Sequence, residues 1–295
     1  MKKLFCKLPP LQWASLLAAL IAAALQTMAV LWELEPKGNY FVRGAVLPTL
    51  AVILALLSFG LGSAALLLTA KKRKLSVCTP ASHRKFHLFP TVGFALALIG
   101  LGYDLISKAT ELWERSNDGS AFLEELLAGK AKLAFLCLPL LLCAVFYCLN
   151  WALSKAANPG ETVILGFATL AACAILGIHV YFDFSLEINS PLKSFLQATF
   201  LCAMMLFTTE LRLPLKKPLP KLLWILSCLV ITFSSLCAIA APVAVLTNKR
   251  LGERLDLLFY GLFALCMIPV ALEHLLSLSA HDLNDPDQTE RTDTL

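Results

Sequence analysis

The chain has 295 residues, of which 58% are apolar or aromatic and only 15% charged, with a mean hydropathy of +0.75. An ordinary soluble domain carries about 25% charged residues, so a soluble enzyme, a disordered chain and a secreted disulfide scaffold are excluded. Much of the net charge of +5 sits in Lys71, Lys72, Arg73, Lys74, Arg84 and Lys85, between two apolar runs, which is a positive-inside pattern and not a nucleic-acid signal.

A membrane-spanning helix needs roughly 20 mostly apolar residues. Fifty-eight per cent of 295 residues is about 171, enough for about eight spans with little left for a soluble core. The predicted fold is therefore all-α: a polytopic transmembrane bundle of about eight spans within residues 1–278. The first span, 11–32, follows Lys2, Lys3 and Lys7 and reads as uncleaved, being long for a signal peptide. The second covers 46–70, and the third runs from Pro90 to about residue 106, proline being favourable in a first helical turn.

Residues 107–132 form the longest predicted loop. Within it Ser120 caps a short surface helix over 120–128, with Gly129 as its stop. The fourth and fifth spans, 133–153 and 162–182, flank a turn at Asn158-Pro159-Gly160. Asn189-Ser190-Pro191 then starts the sixth, which runs to residue 211. After a loop with four cations and three prolines, the seventh and eighth spans cover 222–246 and 255–278. The rest, 279–295, is polar and reads as a disordered cytoplasmic tail.

Eight spans put both termini on one side. With that side cytoplasmic, 15 of the 25 Lys and Arg lie inside and 10 outside, as the positive-inside rule asks. The loop 247–254, with Lys249, Arg250 and Arg254, runs against it. Eight of the ten cysteines lie within apolar runs and are read as small packing residues. Gly60-Leu61-Gly62 and Gly100-Leu101-Gly102 are read as points of close helix approach. The segment Phe195 to Phe207 is read as packing and lipid-facing surface.

Ionisable groups in a span are costly, so their depth matters. At about 1.5 Å per residue, His179 sits near the outer interface, with Asp183 one turn on. Asp104 and Gln197 lie at similar depth, and the four are the candidates for an outer pocket for an ion, a proton or a small polar ligand. Tyr103, Tyr181, Phe182 and Phe184 form an aromatic belt there. At the inner end Asn150, Glu210, Arg212, Glu273 and His274 are candidates for a gate or a salt-bridged rim. Pro269 leaves the carbonyl of Leu265 without its usual helical partner and predicts a kink. Phosphate-loop, metalloprotease and nucleophile-elbow motifs are absent, so no catalytic residue, metal or cofactor is expected.

Tyr181-Phe182-Asp183, Asn189-Ser190-Pro191 with Lys193, Gln197, and Glu210 with Arg212 carry a resemblance. In these features the segment 181–213 resembles uncharacterised multi-pass membrane proteins of Gram-positive anaerobic bacteria. The resemblance covers about a tenth of the chain, implies a cytoplasmic-membrane protein and transfers no functional role. Three functions remain open. The leading one is a non-enzymatic sensor or accessory subunit that meets other subunits or anionic lipid through the basic loops 71–88 and 212–221. The second is a permease for a small solute or ion, and the third a membrane-embedded enzyme acting on lipid or peptide.

Overall fold

The computed structural model describes residues 8–35, 41–77, 88–115, 130–153, 159–181, 191–211, 219–248, 251 and 254–282. Among them, eight helical spans are long and apolar enough to cross a membrane. In chain order the helices are α1 Pro10–Trp32, α2 Leu47–Lys72, α3 Leu88–Arg115, α4 Lys130–Leu153 and α5 Pro159–Tyr181. They continue as α6 Pro191–Glu210, α7 Pro220–Cys237, α8 Ala240–Thr247 and α9 Leu255–Ser277. Four begin at a proline, where the missing N–H is no loss. Helices α7 and α8 together make one span, Pro220–Thr247. The break between them lies one turn before Pro242, which cannot donate to the carbonyl of Ala238.

Two departures from the sequence reading are plain. The third helix does not stop near residue 106 but continues to Arg115. Polar residues carry it on, with Thr110 Oγ1 donating to the Ile106 carbonyl at 2.9 Å. The polar tail does not begin as disordered chain at residue 279. Strand β2, Leu278–Asp282, follows α9 directly and pairs antiparallel with β1, Arg73–Val77, the direct continuation of α2. The all-α description thus holds for the bundle and not for this ribbon. The surface helix expected over 120–128, and residues 283–295, lie outside the described residues.

Helices α3, α4, α5, α6, α7 and α9 pack in succession, and α9 returns to α3, so the six close a ring. The hairpin α1–α2 lies outside it against α7. Here hydrogen bonds supply a specificity that lipid-like side chains do not. Ser15 Oγ donates to the Ser58 carbonyl at 2.7 Å, and Ser58 Oγ returns the bond to the Ser15 carbonyl at 2.8 Å. Trp224 Nε1 donates to the Gly62 carbonyl at 3.1 Å. A Cβ on Gly62 would lie 2.8 Å from Cys228 Sγ, whereas one on Gly60 meets nothing within 4 Å. Of the two glycines only Gly62 is a packing glycine.

Replacing both Ser15 and Ser58 by Ala is expected to weaken the bundle by only about 1 kcal/mol, since interhelical bonds in lipid average about 0.6 kcal/mol each. Thermal denaturation in a mild detergent checks it.

The outer surface is as apolar as the interior: Leu20, Leu67, Ile106, Ile164 and Phe167 are largely exposed. Such a belt suits hydrocarbon, not water. The eight cysteines among the described residues are free thiols, six of them buried.

Candidate functional site

The inside of the ring is filled by aromatic side chains from four helices. Phe200 (α6) stacks on Phe263 (α9) at 4.9 Å between centroids, and Phe263 meets Phe94 (α3) edge-on at 5.2 Å. Phe94 lies 5.6 Å from Phe207 (α6), which meets Tyr147 (α4) at 6.5 Å; Phe200 also meets Tyr260 (α9) at 5.6 Å. The column therefore runs Tyr260, Phe200, Phe263, Phe94, Phe207, Tyr147, and every member is buried. Offset and edge-to-face contacts of this kind add about 0.5–1.5 kcal/mol per pair. Phe200 and Phe207 thus face the core, which corrects the lipid-facing part of the sequence reading; Met205 is exposed.

A polar cluster lies at each end of the column. Tyr260 marks the end opposite the ribbon. Its hydroxyl is buried, has no hydrogen-bond partner among the described residues and lies within range of the charges of Asp104, Asp256 and Arg254. Asp104 on α3 reaches His179 on α5, with Oδ2 3.6 Å from Nε2. The same oxygen accepts a bond from Lys108 Nζ at 2.5 Å, one helical turn on. Asp104 and His179 are buried, while the Lys108 side chain is 40% exposed. His179 Nδ1 has no hydrogen-bond partner among the described residues.

Depth arithmetic matched Asp104 with His179, and the fold brings them together. Gln197 is half-buried on α6, and it is not among the bonds made by Asp104. Asp183 lies outside the described residues.

Sequence reasoning missed one strong pair at this end. Arg254 donates to both carboxylate oxygens of Asp256, Nε to Oδ1 at 2.9 Å and Nη2 to Oδ2 at 2.7 Å. The signal was an acid two residues after the arginine, in the first turn of α9. Close packing fixes α9 against α3 here: a Cβ on Gly100 would lie 2.8 Å from Phe259 Cβ. One on Gly102 would meet nothing within 4 Å.

Tyr147 marks the ribbon end. Glu210 (α6) and Glu273 (α9) are both buried and lie within range of each other's charge. Tyr147 and Cys148 on α4 lie within range of Glu210, and His274 is buried beside Glu273 in sequence. Asn150, in contrast, is exposed and is not part of this buried cluster. Arg212 lies outside the described residues. Helix α9 is continuous through Pro269.

A further polar group escaped notice in the first span. Gln26 on α1 is fully buried, and neither its Oε1 nor its Nε2 has a partner among the described residues. The described residues hold no group of three or more His, Cys, Asp or Glu able to bind a metal ion. Family models, curated proteins and solved structures give no match to this chain.

Proposed function

We propose that this is an integral protein of the cytoplasmic membrane, with both termini and the ribbon in the cytoplasm. In this reading it is a non-enzymatic sensor or accessory subunit of a membrane complex. The observation that carries the reading is the arrangement inside the ring: two polar clusters at opposite ends, separated by packed aromatic rings. Carriers usually hold their substrate near the midplane, and here the middle of the ring is filled by phenylalanine.

The orientation rests on the excess of Lys and Arg on the proposed inner side. The Arg254–Asp256 pair also offsets one of the three cations of the loop 247–254, which otherwise runs against the rule. Helix α9 joins the ends of the molecule, carrying Asp256 and Tyr260 near its start, Glu273 near its end, and then strand β2. In this reading α9 links the outer end to the ribbon, whose strand β1 opens with Arg73 and Lys74 and follows Lys71 and Lys72.

A permease is the second reading. The break between α7 and α8 favours it, because broken helices build many carrier sites. That break lies roughly 27 Å along a 28-residue span of about 41 Å from Pro220, about two-thirds of the way along it.

Purification from the native membrane in a mild detergent, with mass spectrometry of what accompanies the protein, tests the proposal. Stoichiometric recovery of a kinase, an ATPase or another membrane subunit is expected. Recovery of the chain alone, as a monomer or homo-oligomer, would move the weight to an autonomous carrier.

A further inference from the structure

We infer that Gln26 and the break between α7 and α8 form a binding site inside the bilayer for one small neutral molecule that both donates and accepts hydrogen bonds. The site lies outside the aromatic ring, between the α1–α2 hairpin and the α7–α8 span, and does not depend on the sensor reading.

Three contacts set the level of Gln26. Helix α1 and the α7–α8 span run side by side in one direction. Gln12 Nε2 lies 3.7 Å from Cys228 Sγ towards their starts, and Asn248 Nδ2 donates to the Glu35 carbonyl at 3.0 Å just past their ends. Between these, Ala22 and Leu236 share one buried cluster with Ala51 and Ala55 of α2. Gln26 is one turn beyond Ala22 on the same buried stripe of α1. One turn beyond Leu236 is Ala240, across the break. Gln26 is thus level with the break, and its amide is fully buried, with neither Oε1 nor Nε2 partnered among the described residues.

The break has groups of both kinds to offer. The Ala238 N–H still donates to the Ser234 carbonyl at 2.8 Å, and the Val243 N–H donates to the Ile239 carbonyl at 3.0 Å. Between them the Ile239 N–H makes no backbone bond among the described residues, so the Ser235 carbonyl loses its helical donor. The Ala238 carbonyl loses its own to Pro242, which has no N–H. Gln26 adds one acceptor oxygen and an NH₂ donor. Leaving such groups unmet within hydrocarbon is costly.

The surroundings set the chemistry of the occupant. No Asp, Glu, Lys, Arg or His occurs in 8–32, 47–70 or 222–247, the stretches of α1, α2 and α7–α8 beside the site. A bare ion would lie there without a counter-charge, which the bilayer penalises. A neutral molecule with a donor and an acceptor answers both kinds of group. Ala22, Ala23 and Ala29 on α1 and Ala240, Ala241 and Ala244 on α8 are all buried. Short side chains let helices approach closely, so the occupant has only a few atoms. Water and a solute of the urea or primary-amide class share this chemistry, and the test separates them.

The test is solid-state NMR of the full chain in lipid bilayers, following magnetisation from water protons to the labelled side-chain amide of Gln26. Gln26→Met, of similar length and without the amide, assigns the signal. Should that variant fail to fold, replacing the other glutamines in turn assigns it by elimination. The backbone N–H of the buried Phe263 is the control at similar depth, since Gly261, two residues before it, packs on Pro242.

Resident water is expected to give transfer to Gln26 several-fold faster than to Phe263. A resident solute is expected to leave Gln26 as dry as Phe263 until carbon-labelled urea or acetamide is added. It then gives a saturable contact that Gln26→Met removes. Either result supports the site. A Gln26 amide as dry as Phe263 and untouched by both solutes overturns it. A Gln26 signal that moves when sodium or potassium replaces choline overturns it too, by making the occupant an ion.

Discussion

Phe263→Ala is expected to be the most damaging single truncation in the bundle, lowering stability by about 3 kcal/mol. The ring is fully buried and touches two others, stacked on Phe200 and edge-on to Phe94. Removing it leaves a cavity that the rigid column cannot fill. In lipid the separated helices still rest in hydrocarbon, so the water-transfer part of the usual Phe→Ala loss is missing. The cavity and the lost ring contacts remain, which places the effect near the lower end of the range of about 3–5 kcal/mol. Phe167→Ala, at a ring 63% exposed on α5, is the control and is expected to change stability by less than about 0.5 kcal/mol. Denaturation of both variants in detergent micelles makes the comparison.

Gly261→Ala pits two effects of opposite sign against each other. Helix propensity alone predicts a gain of about 1 kcal/mol from replacing glycine inside a helix. Packing predicts the reverse. The new Cβ would lie 2.4 Å from Pro242 Cδ, 3.0 Å from its Cγ and 3.1 Å from Ala241 Cβ. A proline ring cannot swing aside, so α8 must move off α9, and overpacking of this kind costs typically about 1–3 kcal/mol. A net loss of about 1–2 kcal/mol is expected. Gly102→Ala, where a Cβ meets nothing within 4 Å, is expected to be neutral or slightly stabilising. Equal stability of the two variants would show that α8 does not hold its place against α9.

Spans were legible in the sequence because hydropathy over some twenty residues is a local property. Seven of the eight described spans agree with the sequence-derived boundaries within a few residues. The third is longer, because Ser107 to Arg115 continue a helix after the apolar run has ended. The ribbon was hidden for a different reason. Its partners, Arg73–Val77 and Leu278–Asp282, are two hundred residues apart, and a polar five-residue segment carries no sign of its partner.

The outer cluster was half legible. A rise of about 1.5 Å per residue set Asp104 and His179 at one depth, but depth says nothing about which helices are neighbours. Gln197 shared that depth and does not take part in the bonds of Asp104. Lys108 and Asp256 went unremarked because they lay in stretches read as loop or as helix start, where charge is ordinary. At the ribbon end Glu210 and Glu273, set at one level by the sequence, are both buried within range of each other's charge. Asn150 shares that end of α4 but is exposed, because level along a helix does not say how deeply a side chain is buried. The aromatic column could not be read at all: Phe94, Phe200, Phe207 and Phe263 look like any other apolar residues until the ring closes around them.

The central claim is that the two polar ends communicate through packed side chains and not through a passage. Proton flux into proteoliposomes carrying a trapped pH-sensitive dye, under an imposed pH gradient and membrane potential, tests it most directly. The account predicts a rate no higher than that of protein-free vesicles. A faster flux that is lost in His179→Ala or Glu273→Gln would contradict it and make the aromatic column a gate.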